Sequence, residues 1–286
     1  MIDVHVDFHM HSTYSDGKKS AYELVKEYRE NNIKMIAITD HDTIGAFLEL
    51  GAHPFEDVTL IPGIEFSSSY KGKDTHILGY NMDITYQPLI DYVTNFKQVR
   101  LNRMKKMVEN AIAYGYAITF EDVVETVRAD GDLETPLEQI GFGKPHLVRT
   151  LIRKNCITEA DEYYVYNTLL EKGGALFYPK PKITPAEVVQ LIHDAGGIAV
   201  LAHPVLIGND VYVMELLELP FDGLECYHSE HTDKDVVRYV QLAKEKNLVI
   251  SGGSDFHGIG RHPNYIGDYL IDSENVETFM ARVNLI

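Results

Sequence analysis

Several short apolar runs along this chain end in polar residues of the kind that bind metals. Val4–Phe8 leads into His9-Met10-His11, Met35–Thr39 into Asp40-His41-Asp42, and Leu60–Ile64 into Glu65. Ile198–Ala202 leads into His203, Gly223–Tyr227 into His228, and Leu248–Gly253 into Ser254-Asp255-Phe256-His257. One run, Ile77–Tyr80, has its histidine, His76, in front. Runs this short and rich in Val and Ile match strands buried on both faces, as in parallel sheets. Helical patterns at Ala21–Asn31, Pro185–Ala195, Val211–Leu219 and Asp233–Lys246 separate most of them. Strand alternating with helix predicts a parallel α/β fold with right-handed crossovers. Seven such units predict a TIM-like barrel, whose active site would sit at the C-terminal ends of the strands. An open Rossmann-like sheet is the alternative, but no Gly-x-Gly-x-x-Gly follows a strand.

From Thr94 to Lys182 the alternation stops. Leu101, Met104 and Val108, with Ala111 or Ile112, recur at the spacing of an amphipathic helix. Weaker helical patterns follow at Pro145–Lys154 and Glu159–Glu171. The expected organisation is a barrel from residues 1–93 and 183–286, interrupted by a helical insertion at 94–182.

Charge sharpens that division. The 286 residues carry 26 Lys+Arg against 43 Asp+Glu, a formal net charge of −17, with 13 histidines. The insertion holds 13 Lys+Arg against 12 Asp+Glu, net +1, so the barrel segments hold −18. An acidic chain argues against wrapping long nucleic acid. Two cysteines, Cys156 and Cys226, make no disulfide framework. The N-terminus lacks a basic region followed by an apolar one, and no apolar run approaches the length of a membrane span. The expected location is the cytoplasm, with no membrane partner.

The candidate chemistry is a metal centre. Residues two apart on a strand point the same way, so His9 and His11 can reach one ion. Asp16, His41, Glu65, His76, His203, Asp255 and His257 add N and O donors at or near strand ends. Such donors suit Zn, Mn or Fe rather than a thiolate site. Nine ligands exceed one tetrahedral site and predict two or three ions, with Glu65 the natural bridge.

The set His9-Met10-His11, Thr39-Asp40-His41-Asp42, Gly63-Ile64-Glu65, Ala202-His203-Pro204 and Gly253-Ser254-Asp255-Phe256-His257-Gly258 resembles the PHP family, named for polymerase and histidinol phosphatase. The resemblance covers the whole chain and implies a distorted seven-stranded barrel with a trinuclear site. It would place His9, His11, Glu65 and Asp255 on one ion, and Glu65, His76 and His203 on a second. Asp16, His41 and His257 would hold the third. Asp16 stands where some branches carry His.

Within the family, the insertion with Arg100, Arg103 and Gly143-Lys144-Pro145-His146, and the segment Gly223–His228 followed by His231, resemble nucleoside 3′,5′-bisphosphate phosphatases. Some of these also trim short RNA from its 5′ end. Relatives usually show Gly-Arg-Pro-His, so Lys144 departs from the pattern and loses the bidentate fork for phosphate. Lys97, Arg100 and Arg103 form one stripe opposite the apolar face of their helix, read either as a solvated face or as a phosphate anchor. The resemblance implies a phosphoesterase that removes the 3′-phosphate of a small nucleotide, or trims short 5′-phosphorylated RNA. Its nucleophile would be a water that a bound ion activates, since a metal lowers the pKa of its water to about 7.

His228 or His231 would protonate the leaving oxygen or hold phosphate, and Asp40 or Asp42 would orient a ligand from behind. Ser12, Ser254 and the cysteines are read as structural, as no Gly-x-Ser-x-Gly elbow is present. His5, His53, His193 and His262 are left as structural or surface residues. Competing readings are a histidinol-phosphate phosphatase, an amidohydrolase-type C–N hydrolase and a non-catalytic metal-stabilised module.

Overall fold

A computed structural model describes residues 3–51, 55–130, 136–137, 140–179, 183–258 and 270–284. His53 and His262 lie outside the described residues. The elements run β1 (Asp3–His5), β2 (Asp7–Met10), α1 (Ala21–Glu30), β3 (Met35–Ile38), α2 (Gly45–Leu50), β4 (Thr59–Tyr70) and β5 (Lys73–Tyr80). Then come α3 (Gln87–Tyr114), α4 (Phe120–Ala129), α5 (Lys144–Arg153), α6 (Glu162–Tyr164) and α7 (Pro185–Asp194). The chain ends with β6 (Ile198–Leu201), α8 (Asp210–Leu216), β7 (Gly223–His228), α9 (Asp233–Glu245), β8 (Val249–Gly253), β9 (Leu270–Asp272) and α10 (Ser273–Arg282).

Strands β2 to β8 form one seven-stranded sheet in sequence order. It curls until β8 meets β2, where His11 N–H donates to Phe256 O at 2.9 Å and Asp255 N–H to His9 O at 2.8 Å. Gly253 makes that approach possible, because a Cβ there would lie 2.4 Å from the His9 backbone nitrogen. The expected α/β barrel with seven strands is therefore what forms, nearly closed.

Its distortion lies at β5, which runs antiparallel to both β4 and β6. A two-residue hairpin causes this. Lys71 and Gly72 adopt φ of 48° and 81°, the positive-φ pair that a tight hairpin turn requires. Reversal brings the start of β5, with His76, to the same rim as the C-terminal ends of its neighbours. The inverted order of His76 and its apolar run, visible in the sequence, is the trace of this reversal.

Two further departures from strict alternation aim side chains into the mouth. Between Asp7 and Met10, three steps on β2 match two on β3, from Ile36 to Ile38. This bulge lets Asp7 face α1, whose Tyr28 hydroxyl donates to it at 2.7 Å, while Phe8 and His9 both turn inward. A second bulge, between Glu225 and Tyr227 on β7, brings both Glu225 and His228 to the site.

Below the site, α10 contributes Val276, Phe279 and Met280 to an apolar cluster with Val6, Phe8, Leu78, Tyr80 and Val200. Phe279 stacks on Phe8 with ring centroids 4.5 Å apart. The β1–β9 pair and α10 were not among the expected elements, being a short ribbon and a terminal helix outside the seven repeating units.

Between β5 and α7 the elements among the described residues are helices. α3 begins at Gln87, ahead of Thr94, and buries Leu101, Met104, Val108 and Ala111, while Ile112 is exposed. These pack with Val123, Leu147, Leu151 and Leu169 into a core separate from those of the barrel. Capping boxes start α1 at Ser20, α4 at Thr119, α7 at Thr184 and α9 at Thr232.

Candidate metal centre

Glu65 is the hub. It is buried at the end of the inward run of β4, and five imidazoles converge on it. Its Oε2 lies 3.4 Å from His9 Nε2, 3.2 Å from His11 Nε2 and 2.8 Å from His41 Nδ1. Its Oε1 lies 2.6 Å from His76 Nδ1 and 2.9 Å from His203 Nε2. Two groups of ligands thus share one carboxylate, each taking one oxygen.

Asp255, just past β8, reaches His11 Nε2 at 2.9 Å and His9 Nε2 at 3.4 Å. Asp16 lies 3.2 Å from His257 Nε2 and 3.8 Å from His41 Nε2. Donor atoms of four groups fall within 4.8 Å of one another: His9, His11, Glu65 and Asp255; His41, Glu65 and His76; His11, Asp16, His41 and His257; and His9, Glu225 and His228. All nine residues singled out from the sequence meet at one rim.

Whether these groups fit an ion can be judged from the atoms themselves. Glu65 Oε2 and His41 Nδ1 are buried and 2.8 Å apart, yet neither makes a hydrogen bond, and Asp16 Oδ1 is in the same state. Lone pairs gathered without a proton between them suit a shared cation. The arrangement fits divalent metals with N and O ligands.

Hydrogen bonds behind the ligands fix which nitrogen each ring offers. His9 Nδ1 is 2.9 Å from Glu225 Oε1, so its N–H points back and Nε2 faces the centre. His257 Nδ1–H donates to Asp255 O at 2.7 Å, which likewise leaves Nε2 forward. Glu225 also accepts the His203 backbone N–H at 2.7 Å. This carboxylate was missed as a site residue, although a lone acid inside the apolar run Gly223–Tyr227 was the signal. Asp40 accepts from Ser12 N–H at 2.8 Å and from Ser15 Oγ at 2.6 Å. Ser15 Oγ in turn sits 3.2 Å from His11 Nδ1, so Asp40 acts on that ring through a hydroxyl. Asp42, His203 and Asp255 all hold positive φ, local backbone strain at the mouth.

The electrostatics follow from this crowding. Burial opposes charge on Asp16, Glu65 and Asp255, yet the surrounding imidazoles hold all three well below the usual carboxylate range. Burial equally opposes charge on His11, but Asp255 and Glu65 raise it to about 10.

Two more histidines border the cluster with opposite polarity. Glu230 N–H donates to His228 Nδ1 at 3.1 Å, so a neutral ring carries its proton on Nε2 and presents an N–H toward Asp255, 3.5 Å away. His231 Nδ1–H donates to Cys226 O at 2.9 Å, leaving a lone pair on a buried Nε2. Burial lowers the pKa of His231 and keeps it neutral.

The helical segment meets this mouth through cations. Arg100 reaches across to Asp42, with Nε 2.9 Å from Oδ2 and Nη2 2.5 Å from it, and also donates to Ser67 Oγ and Phe142 O. Arg100 and Arg103 are both 7% exposed, so the stripe is no solvated face. Arg103 donates Nε–H to Tyr178 O at 3.0 Å and feels Asp74, two residues ahead of His76. His146 is buried and accepts the Gly143 N–H on Nδ1 at 3.0 Å. Burial and Arg149 push its pKa down to about 3, which leaves a neutral ring with a proton on Nε2. Lys144 is paired with Glu171 at 3.0 Å near the surface. His193 bonds Asp222 at 2.8 Å, away from the cluster, and His5 is exposed on β1. No helix among the described residues is long and apolar enough to cross a membrane.

A barrel carrying such a centre belongs to the metal-dependent hydrolases, and comparison with known proteins narrows the class to metal-dependent phosphoesterases. The chain is 29% identical to the phosphoribosyl 1,2-cyclic phosphate 1,2-diphosphodiesterase of Eggerthella lenta, over 90% of this chain and 96% of that protein. It is 27% identical to the 5′-3′ exoribonuclease Rnm of Escherichia coli, over 88% and 84%. With the 3′,5′-nucleoside bisphosphate phosphatase of Chromobacterium violaceum it shares 26% over 92% and 90%. A solved structure from Bifidobacterium adolescentis, provisionally described as a metal-dependent phosphoesterase, superposes with a TM-score of 0.80 at 26% identity, covering 98% and 96% of the two chains. The PHP domain model matches residues 7–245, and the chain belongs to that family.

Proposed function

We propose that this enzyme hydrolyses the 3′-phosphate of nucleoside 3′,5′-bisphosphates and trims short 5′-phosphorylated RNA. The observation that carries the reading is the sharing of Glu65 between two sets of imidazoles, beside a helical segment whose Arg100 reaches Asp42 at the mouth. Relatives named as a bisphosphate phosphatase and an exoribonuclease support the substrate class.

In this reading two or three divalent ions, Mn, Fe or Zn, occupy the centre. His9, His11, Glu65 and Asp255 hold one, Glu65, His76 and His203 a second, and Asp16, His41 and His257 a third. The bound ions supply a nucleophile at neutral pH and positive charge for the phosphoryl oxygens. The protein's own groups do the rest. Glu225 and Asp40 keep the His9 and His11 rings in place. His228 donates its Nε2–H toward the leaving side, and His231 offers a lone pair beside it. Arg103 and the neutral His146 N–H hold the substrate's other phosphate, and Lys144 reaches it on leaving Glu171. Arg100, bound to Asp42, fixes α3 over the mouth, so that residues 94–182 act as a cap on a barrel of 1–93 and 183–286. Anchoring a remote phosphate orients the scissile one. Function in the cytoplasm accords with such substrates.

A hydrolysis screen with added Mn, reading both free phosphate and released mononucleotide, tests this. Its substrates are mononucleotides, 3′,5′-bisphosphates, 5′-phosphorylated RNA, 5-phosphoribosyl 1,2-cyclic phosphate and histidinol phosphate. Bisphosphates and short RNA should be turned over most efficiently. Exclusive turnover of the cyclic phosphate or of histidinol phosphate would overturn the proposal.

A further inference from the structure

Beyond Arg103, which the reading above places at the substrate's other phosphate, the face of α3 leading away from the mouth carries polar and aromatic groups that the metal centre does not use. Arg103, Lys106, Asn110 and Tyr114 recur at three- and four-residue intervals, so they share one helix face. At 1.5 Å per residue that stripe runs about 16 Å outward from the mouth. Along its inner part lies a cavity of about 500 Å³ between α3 and Tyr178–Pro179, lined by Arg103, Lys105 and Lys106. At its outer end the Tyr114 hydroxyl bonds Tyr164, and the Tyr114 ring lies 5.3 Å from that of Tyr116. Of the five exposed tyrosines among the described residues, Tyr114, Tyr163, Tyr164 and Tyr178 lie on this segment and only Tyr22 on the barrel.

We propose that this face is a track for the body of a single-stranded RNA whose 5′ end sits at the metal centre, with Lys106 meeting a backbone phosphate and Tyr114 and Tyr164 stacking bases. The inference rests on the nucleotide reading above and extends it from the reacting phosphate to the rest of the chain. Cations alternating with exposed aromatic rings are what single strands require, because every base has a stacking face and every linkage a charge. Geometry gives the track its start: Arg103 lies beside Asp74 near the rim that holds His76. Charge gives it its side, since the barrel at −18 repels a polyanion and the helical segment at +1 does not. The present partner of Lys106 is Glu109 at 2.7 Å, an exposed pair that a phosphate displaces at small cost.

The test uses the full chain and a 3′-fluorescein, 5′-phosphorylated RNA pentamer. Binding is followed by anisotropy over a range of salt, and hydrolysis of the pentamer and of a 3′,5′-bisphosphate is followed with Mn. K106A and the Y114A/Y164A double variant change exposed side chains, and thermal denaturation confirms their folding. Each should weaken pentamer binding about fivefold or more. K106A should also flatten the slope of log Kd against log salt by about 0.7. KM for the bisphosphate should stay within about twofold of the parent. Parental affinity in both variants, no pentamer binding by the parent, or an equal loss for the bisphosphate would overturn the track. If pentamer binding falls as expected while neither substrate is hydrolysed, the catalytic reading fails and the track stands.

Discussion

The barrel mouth and the helical segment satisfy their polar groups in different ways. In the mouth, acids and imidazoles are packed against each other, and Glu65 alone meets five rings. The helical segment has an ordinary apolar core of Leu, Met and Val, and spends its polar side chains on its edges. Arg100 and Arg149 cross from it to the mouth, one on Asp42 and the other on the Asp16 carbonyl. The difference separates two tasks. The barrel holds its acids and imidazoles through mutual constraint, and in the proposed reading the segment adds recognition through a few long cations at its edge.

Experiments can break this division at either end. The largest effect is expected for Glu65→Ala. It should abolish phosphate release and lower the metal content found by elemental analysis, well beyond the roughly 10–100-fold typical of residues behind ligands. Retained activity would move the chemistry out of the mouth. Arg100→Ala leaves Asp42 buried and without its cation, which should cost about 3–5 kcal/mol in urea denaturation. An unchanged midpoint would show that the segment does not depend on that link. Glu225→Ala should reduce metal affinity or turnover by about 10–100-fold, measured by equilibrium dialysis and kcat. A smaller loss would mean that His9 and His203 hold their orientation unaided. The smallest change is expected for Lys144→Ala, whose partner Glu171 is exposed. Stability should move by less than about 1 kcal/mol. A rise in KM for bisphosphates without a fall in kcat would then mark Lys144 as a substrate contact.

Much of the centre was legible because ligands follow apolar runs in a barrel of repeating units. His9, His11, His41, Glu65, His203, Asp255 and His257 could be found that way. His76 precedes its run, and the sequence alone does not say that β5 is reversed. Glu225 was hidden for a different reason: it sits inside a run rather than at its end, and only the bulge after it shows that it shares a side with His228. The basic stripe was misjudged as opposite to the buried face because α3 is covered on two sides. Leu101 and Met104 meet the segment's own core, while Arg100 and Arg103 turn to the barrel.

Composition and pattern by themselves determined the class of fold, the ligand types and the uneven charge, because these depend on which residues recur and at what interval. Direction was decided only in three dimensions. A hairpin turns β5 around, two bulges rotate His9 and His228 inward, and Gly253 lets β8 close on β2. A period-two strand gives each side chain a face only relative to its neighbours. One inserted residue exchanges those faces, and its effect is felt across the sheet rather than along the chain.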